Sequence, residues 1–200
     1  MRAILFFTFL ISSCMSNSTE NTNSSKTEQG EATTNSATML YRFPEQGKGK
    51  WRVQDDVVMG GRSDSRLKMT DEGFAHFSGE VSLENNGGFC SIHQTTEKNP
   101  YVLKEQTTAF HLVVKGDGKN YNFRVRTPRG RHAYAFTFPT QNDNKWETIA
   151  IPFSAMKATY HGEPVEVPNY AGEDIVEMQL LIGNGKAESF EILVASIEVL

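Results

Sequence analysis

"TAFHLVVKGDGKNYNFRVRT", residues 108 to 127, is the stretch on which the fold turns. In its second half Tyr121, Phe123 and Val125 alternate with Asn122, Arg124 and Arg126, the period of two that a half-buried strand requires. In its first half the run from Phe110 to Val114 reads as another strand, β-branched and aromatic in character. Between them Gly116, Asp117 and Gly118 tolerate positive φ, so the spacing predicts a tight antiparallel hairpin.

Outward from that hairpin the same pattern repeats. Strands are expected at 74–83, 89–95, 108–116, 121–127, 132–140, 146–153, 176–184 and 190–200, with weaker ones at 40–43 and 65–69. "ENNGGF", 84 to 89, offers a second hairpin turn through Asn86-Gly87. No helical period longer than two turns interrupts the series, which excludes helix-rich α/β folds. Eight to ten short strands predict an all-β jelly-roll β-sandwich. Tyr134, Phe136 and Phe138 form an aromatic stripe on one face, in the core by default and a ligand platform otherwise.

The other end of the chain has a different grammar. Met1 and Arg2 precede "AILFFTFLI", an apolar run too short to span a bilayer. Ile11-Ser12-Ser13-Cys14 resembles the bacterial lipobox, which implies a lipoprotein signal peptide over 1–13 and acylation of Cys14. A plain secretory peptide is the alternative. Each buried methylene contributes about 0.8 kcal/mol, so several acyl chains make a durable membrane anchor. Residues 15 to 38 carry no aromatic and almost no aliphatic side chain, and they read as a flexible tether behind the lipidated Cys, reaching roughly 25 to 30 Å as a coil. Residues 39–200 remain as one domain with a sizeable core. The expected address is the bacterial cell envelope, lipid-anchored, with Met15 after Cys14 favouring the outer membrane, facing the periplasm or the cell surface.

Composition narrows function. A formal net charge of −4 from 20 basic and 24 acidic residues gives no footprint for nucleic acid. With Cys14 assigned to lipid, Cys90 stands alone, a small buried apolar residue by default and a reactive or interchain thiol otherwise. Asp55, Asp56 and Asp64 around Gly60-Gly61 miss the calcium-loop spacing, the histidines lack paired zinc spacing, and no metal or other cofactor is expected. Cys90 and His93, three apart in a strand, point to opposite faces and form no dyad. No other convergent pair of ionisable groups appears, so the chain reads as non-catalytic. Lys115, Lys119, Arg124, Arg126, Arg129 and Arg131 face one acid, Asp117, across 115–132. They make a solvated sheet face or a docking patch for an anionic partner.

Taken together, Trp51, "DDVVMGGRS" at 55–63, "FSGEVSLENNGGFCS" at 77–91, "VKGDGKNYNFRVR" at 114–126, Trp146 and "IPF" at 151–153 resemble the complex I intermediate-associated protein 30 family. The resemblance covers 41–200 and implies a galactose-binding-like sandwich acting as an assembly factor rather than an enzyme. It marks Trp51, Asp56, Met59, Gly60, Gly61, Ser63, Asn85, Asn86, Gly87, Gly88, Phe89 and Asp117 as site residues, to which the basic patch adds Arg124 and Arg126. The loop from Asp55 to Ser65 is expected to pack beside "ENNGGF", with Asp56 accepting backbone N–H bonds. A protein partner or complex is the expected ligand. A glycan is the alternative, stacked on Trp51 or Tyr160 and bonded by Asn85, Asn86 and Asp117.

Overall fold

The structure is a computed structural model and describes residues 37–56 and 61–200. The signal peptide, Cys14, nearly all of the tether, Met59 and Gly60 lie outside the described residues.

Fourteen strands are described: β1 (Thr38–Arg42), β2 (Gln46–Gly47), β3 (Trp51–Val53), β4 (Asp64–Met69), β5 (Ala75–Val81), β6 (Cys90–Thr95), β7 (Ala109–Lys115), β8 (Asn120–Arg126), β9 (Ala133–Pro139), β10 (Glu147–Pro152), β11 (Lys157–Tyr160), β12 (Glu163–Pro164), β13 (Glu177–Ile182) and β14 (Glu188–Val199). The helical elements among the described residues are single 3-10 turns, Glu84–Asn86 and Phe153–Ala155. Every expected strand is present. The extra ones, β2, β3, β11 and β12, are four residues or shorter and give alternation too little length to show.

Two antiparallel sheets form the sandwich. Sheet A runs β10-β7-β14, and β14 shares its far edge between β5, along Glu188–Val194, and β1, along Ser196–Val199. A register shift at Ala195 separates the two halves of that long strand. Sheet B runs β12-β11-β9-β8-β13-β6-β3. Inward-facing side chains of both sheets make one core, with Phe77, Phe110, Leu112, Tyr121, Phe123, Met178 and Ile192 all essentially excluded from solvent. Each such side chain contributes roughly 1.5–3 kcal/mol by burial. The aromatic stripe of β9 is core, since Tyr134 and Phe138 are buried and Phe136 packs against them in part.

The two expected hairpins are not hairpins. β5 and β7 belong to sheet A, and their successors β6 and β8 to sheet B, so "ENNGGF" and "KGDGKNY" are arches that carry the chain across the sandwich. Apolar faces drive this outcome. Folding β8 over β7 buries each strand's apolar face against the other, with the Phe110 and Phe123 rings 5.3 Å apart. The turn chemistry serves the arch equally well. Gly118 sits at φ +83, and a Cβ on Gly116 would lie 2.2 Å from the Thr140 side chain.

Candidate functional site

The described parts of the loop, residues 54–56 and 61–65, pack where the sequence places them. Asp56 N–H donates to Phe89 O at 3.2 Å, Ser63 Oγ accepts from Ser82 N at 3.1 Å, and Arg62 pairs with Glu84 at 3.1 Å. A Cβ on Gly87 would come 2.8 Å from Ser82 O and 3.6 Å from Gly61 Cα, so that arch and loop need the glycine to approach closely. One assignment changes. Asp55, rather than Asp56, takes the backbone bond: its carboxylate accepts from Ser65 N at 2.8 Å and from Ser65 Oγ at 2.5 Å. Asn85 adopts φ 54, ψ 39 at the exposed crest, followed by Gly88 and the half-buried Phe89. These contacts are those of a structural brace.

Cys90 lies behind that brace, wholly buried, its thiol 3.5 Å from Glu80 O. Burial first, and then the charge and hydrogen bond of Asp55, push its pKa to about 12. The thiol is therefore no nucleophile. His93 is on the opposite face of β6, as expected from their spacing. Trp51 also faces inward, edge-on to Tyr41 at 5.9 Å and 5.8 Å from Phe43, so its ring is packed against aromatic neighbours. Asp117 is consumed by the fold. Its oxygens accept from Lys119 N at 3.2 Å, Lys119 Nζ at 2.7 Å, Tyr121 Oη at 3.1 Å and Glu191 N at 3.0 Å, which pins the β7–β8 arch to β14.

The basic segment divides sharply. Lys119 pairs with Asp117, and Lys115 lies over the Trp146 ring at 5.9 Å. Arg126 bonds Glu177 at 3.0 Å and Glu97 at 2.8 Å. Burial works to lower its pKa, but those two carboxylates outweigh burial and the net shift is upward. Arg124 has no such relief. Its Nε donates to Asn122 Oδ1 at 2.6 Å, no carboxylate reaches it among the described residues, and burial holds its pKa below the usual guanidinium value.

Strand register explains what Arg124 belongs to. Arg52 pairs with His93, His93 with Gln179, Gln179 with Arg124, Arg124 with Ala135 and Ala135 with Lys157. Directly opposed residues share a face, and neighbouring strands lie about 4.8 Å apart, so this is one row crossing sheet B's outer surface for about 24 Å. Its polar groups are preset. Gln179 Nε2 donates to Ser91 Oγ at 3.1 Å, Ser91 Oγ donates to Gln54 O at 2.6 Å, and Asn122 Nδ2 donates to Thr137 Oγ at 2.8 Å. Arg52, His93, Gln179, Asn122 and Lys157 were not marked by sequence patterning. Their common signal is outward placement in alternating strands, which becomes a site only once the register is known.

No group of three or more His, Cys, Asp or Glu side chains among the described residues is arranged to hold a metal ion. The site offers hydrogen bonds and positive charge, and among the described residues of the row no nucleophile stands beside a base.

The fold is an all-β sandwich of two antiparallel sheets, an architecture it shares with carbohydrate-binding modules. The structure is similar to the family 11 carbohydrate-binding module of the cellulosomal cellulase Lic26A-Cel5E of Clostridium thermocellum, at TM-score 0.60 and 15% identity over 82% of this chain and 94% of that one. The chain belongs to the complex I intermediate-associated protein 30 family, whose sequence model matches residues 41–194. Two relatives are similar in sequence. An uncharacterized protein of Schizosaccharomyces pombe, C9E9.15, is 27% identical over 169 residues, 75% of this chain and 77% of its own length. The mitochondrial complex I intermediate-associated protein 30 of Mus musculus is 26% identical over 137 residues, 59% of this chain and 42% of the mouse protein.

Proposed function

We propose that this protein is a non-catalytic docking module of the assembly-factor type, which holds an acidic segment of a protein partner along the outer row of sheet B. The observation that carries the reading is Arg124, a half-buried guanidinium at the middle of a cationic row that no carboxylate meets among the described residues. Leaving a partly desolvated cation unpaired is costly, and a partner carboxylate arriving in bidentate geometry removes that cost. Arg52 and Lys157 flank it as exposed charges that steer and orient. Family membership supports a protein partner. The outer face of sheet B carries no Phe, Tyr or Trp side chain among its described residues, which disfavours a sugar-stacking platform there.

The second part of the reading is the anchor. A lipid on Cys14 and a tether through residue 38 place the module at the cell envelope, with the outer membrane preferred. Metabolic labelling with a palmitate analogue tests this directly: label retained by Cys14→Ser overturns the anchor.

Docking is tested by crosslinked pull-down from intact membranes with the native chain and Arg124→Ala. A partner captured by the native chain and lost by the folded variant is the expected outcome. Equal capture by both ends the proposal.

A further inference from the structure

We propose that the outer face of sheet A carries a second binding site, a trough for a neutral oligosaccharide, independent of the sheet B row. Two cavities of about 490 Å³ and 340 Å³ lie on this face and share His76 and Glu191 in their walls. Their volumes fall in the range of built ligand sites.

Register again orders the residues. Arg66 of β4 opposes Ser78 of β5, and Ser78 opposes Glu191 of β14, which gives a cation, a hydroxyl and a carboxylate in line. Ser78 forms the floor of the larger cavity. It is 5% exposed, and its buried Oγ has no hydrogen-bond partner among the described residues. Buried hydroxyls are almost always bonded, so an orphan at the bottom of a cavity marks a place where a ligand group completes the set.

Charge balance selects the ligand class. Arg66, Lys119 and Lys115 are interleaved with Asp64, Glu80, Asp117 and Glu191, while Lys119 pairs with Asp117 at 2.7 Å and His76 with Glu191 at 3.4 Å. An anion meets the acids and a cation meets the bases. A chain of hydroxyls, each both donor and acceptor, suits the mosaic without net charge. Beside the Lys115–Asn144 end stands Trp146, 40% exposed, with Phe74 at 4.6 Å and Lys115 Nζ at 5.9 Å from its ring, so that the part of the indole left exposed is what a pyranose C–H face can cover.

The test is a titration of the full-length, 15N-labelled protein with neutral tetrasaccharides of glucose, mannose and galactose, and with an acidic tetragalacturonate, alongside Arg66→Ala and Ser78→Ala. At least one neutral sugar is expected to give saturable shifts at His76, Ser78, Glu191 and the Trp146 indole. Affinity should fall about tenfold in each variant, the loss expected for a hydrogen bond to a desolvated group. Ser78→Ala should melt no lower than the native chain, since it removes an unpaired hydroxyl, so a fall in affinity there reports ligand contact and not damage. Absence of saturable shifts with every neutral sugar, shifts confined to sheet B, unchanged affinity in both variants, or tighter binding of the tetragalacturonate each overturns the proposal.

Discussion

The two outer faces of the sandwich differ in how their charges are answered. Sheet A interleaves bases with acids, and two of its cationic side chains, Lys119 and His76, stand against an acid of the same face. Sheet B runs Arg52, His93, Gln179, Arg124 and Lys157 across its strands, and among the described residues no carboxylate meets the middle cation. Within sheet B the contrast sharpens further. Arg124 and Arg126 sit two residues apart on one face of β8, yet among the described residues Arg126 is held by Glu97 and Glu177 and Arg124 by the amide oxygen of Asn122. Neighbours, rather than residue type, decide which arginine braces the fold and which is left to a neutral acceptor.

The largest effect that breaks this contrast is charge reversal at its centre. Arg124→Glu should lower partner capture by about 30-fold or more, the cost of losing a central arginine anchor. Its melting temperature should stay within about 2 °C of native, because no ion pair of the fold is lost. A large drop in melting temperature would show that Arg124 is a structural residue after all.

Next in size is the brace that joins the faces. Asp117→Asn replaces a carboxylate that is 11% exposed and accepts four bonds, turning one acceptor into a donor aimed at Lys119 Nζ and Glu191 N. Stability should fall by about 2–3 kcal/mol in urea unfolding, the scale of charged hydrogen bonds lost in a partly buried site. Arg126→Met is milder. It should cost about 1–2 kcal/mol, intermediate between exposed and buried pairs, and leave partner capture intact. Loss of capture in Arg126→Met would erase the division between the two arginines.

How much of this was legible beforehand follows from what alternation encodes. It reports one strand at a time, so the faces of β8 and β9 and the burial of Tyr121, Phe123 and Val125 could be read from the sequence. Register between strands distant in sequence is not encoded that way. Arg52, His93, Gln179, Arg124 and Lys157 come from five strands, and nothing local to any of them announces the row. The arches were misread for a related reason: Asp117-Gly118 specifies a sharp turn, while the sheet that each flanking strand joins is decided by apolar packing across the core. Motif resemblance located the braced loop correctly. It also marked Trp51 and Asp117 for ligand, where the geometry gives one to aromatic packing and the other to the arch.

Salt separates the faces with a smaller and graded effect. Raising ionic strength from about 0.05 to about 0.5 M shortens the screening length from roughly 14 to 4 Å, so capture at the sheet B row should weaken several-fold while neutral-sugar binding on sheet A holds. Equal salt sensitivity on both faces would show that the sheet A trough recognises charge.

The smallest expected signal comes from the thiol behind the braced loop. Cys90 has its pKa raised to about 12 in the folded protein, through burial and the neighbouring Asp55 carboxylate, whereas an exposed cysteine titrates near about 8.5. A raised folded value means that the native state holds the proton more tightly than the unfolded state. The stabilisation is therefore complete below about pH 8.5 and is lost as pH climbs toward 12. Between these limits folding resists thiolate formation, so iodoacetamide at pH 8 should label Cys90 only as fast as the domain opens. Asp55→Ala provides the sharper version: it removes the charge that opposes the thiolate and unties Ser65 from the loop, so labelling should speed up severalfold in mild urea. Labelling of the native chain at the rate of a free thiol would mean that the wall formed by the braced loop and β5 is open.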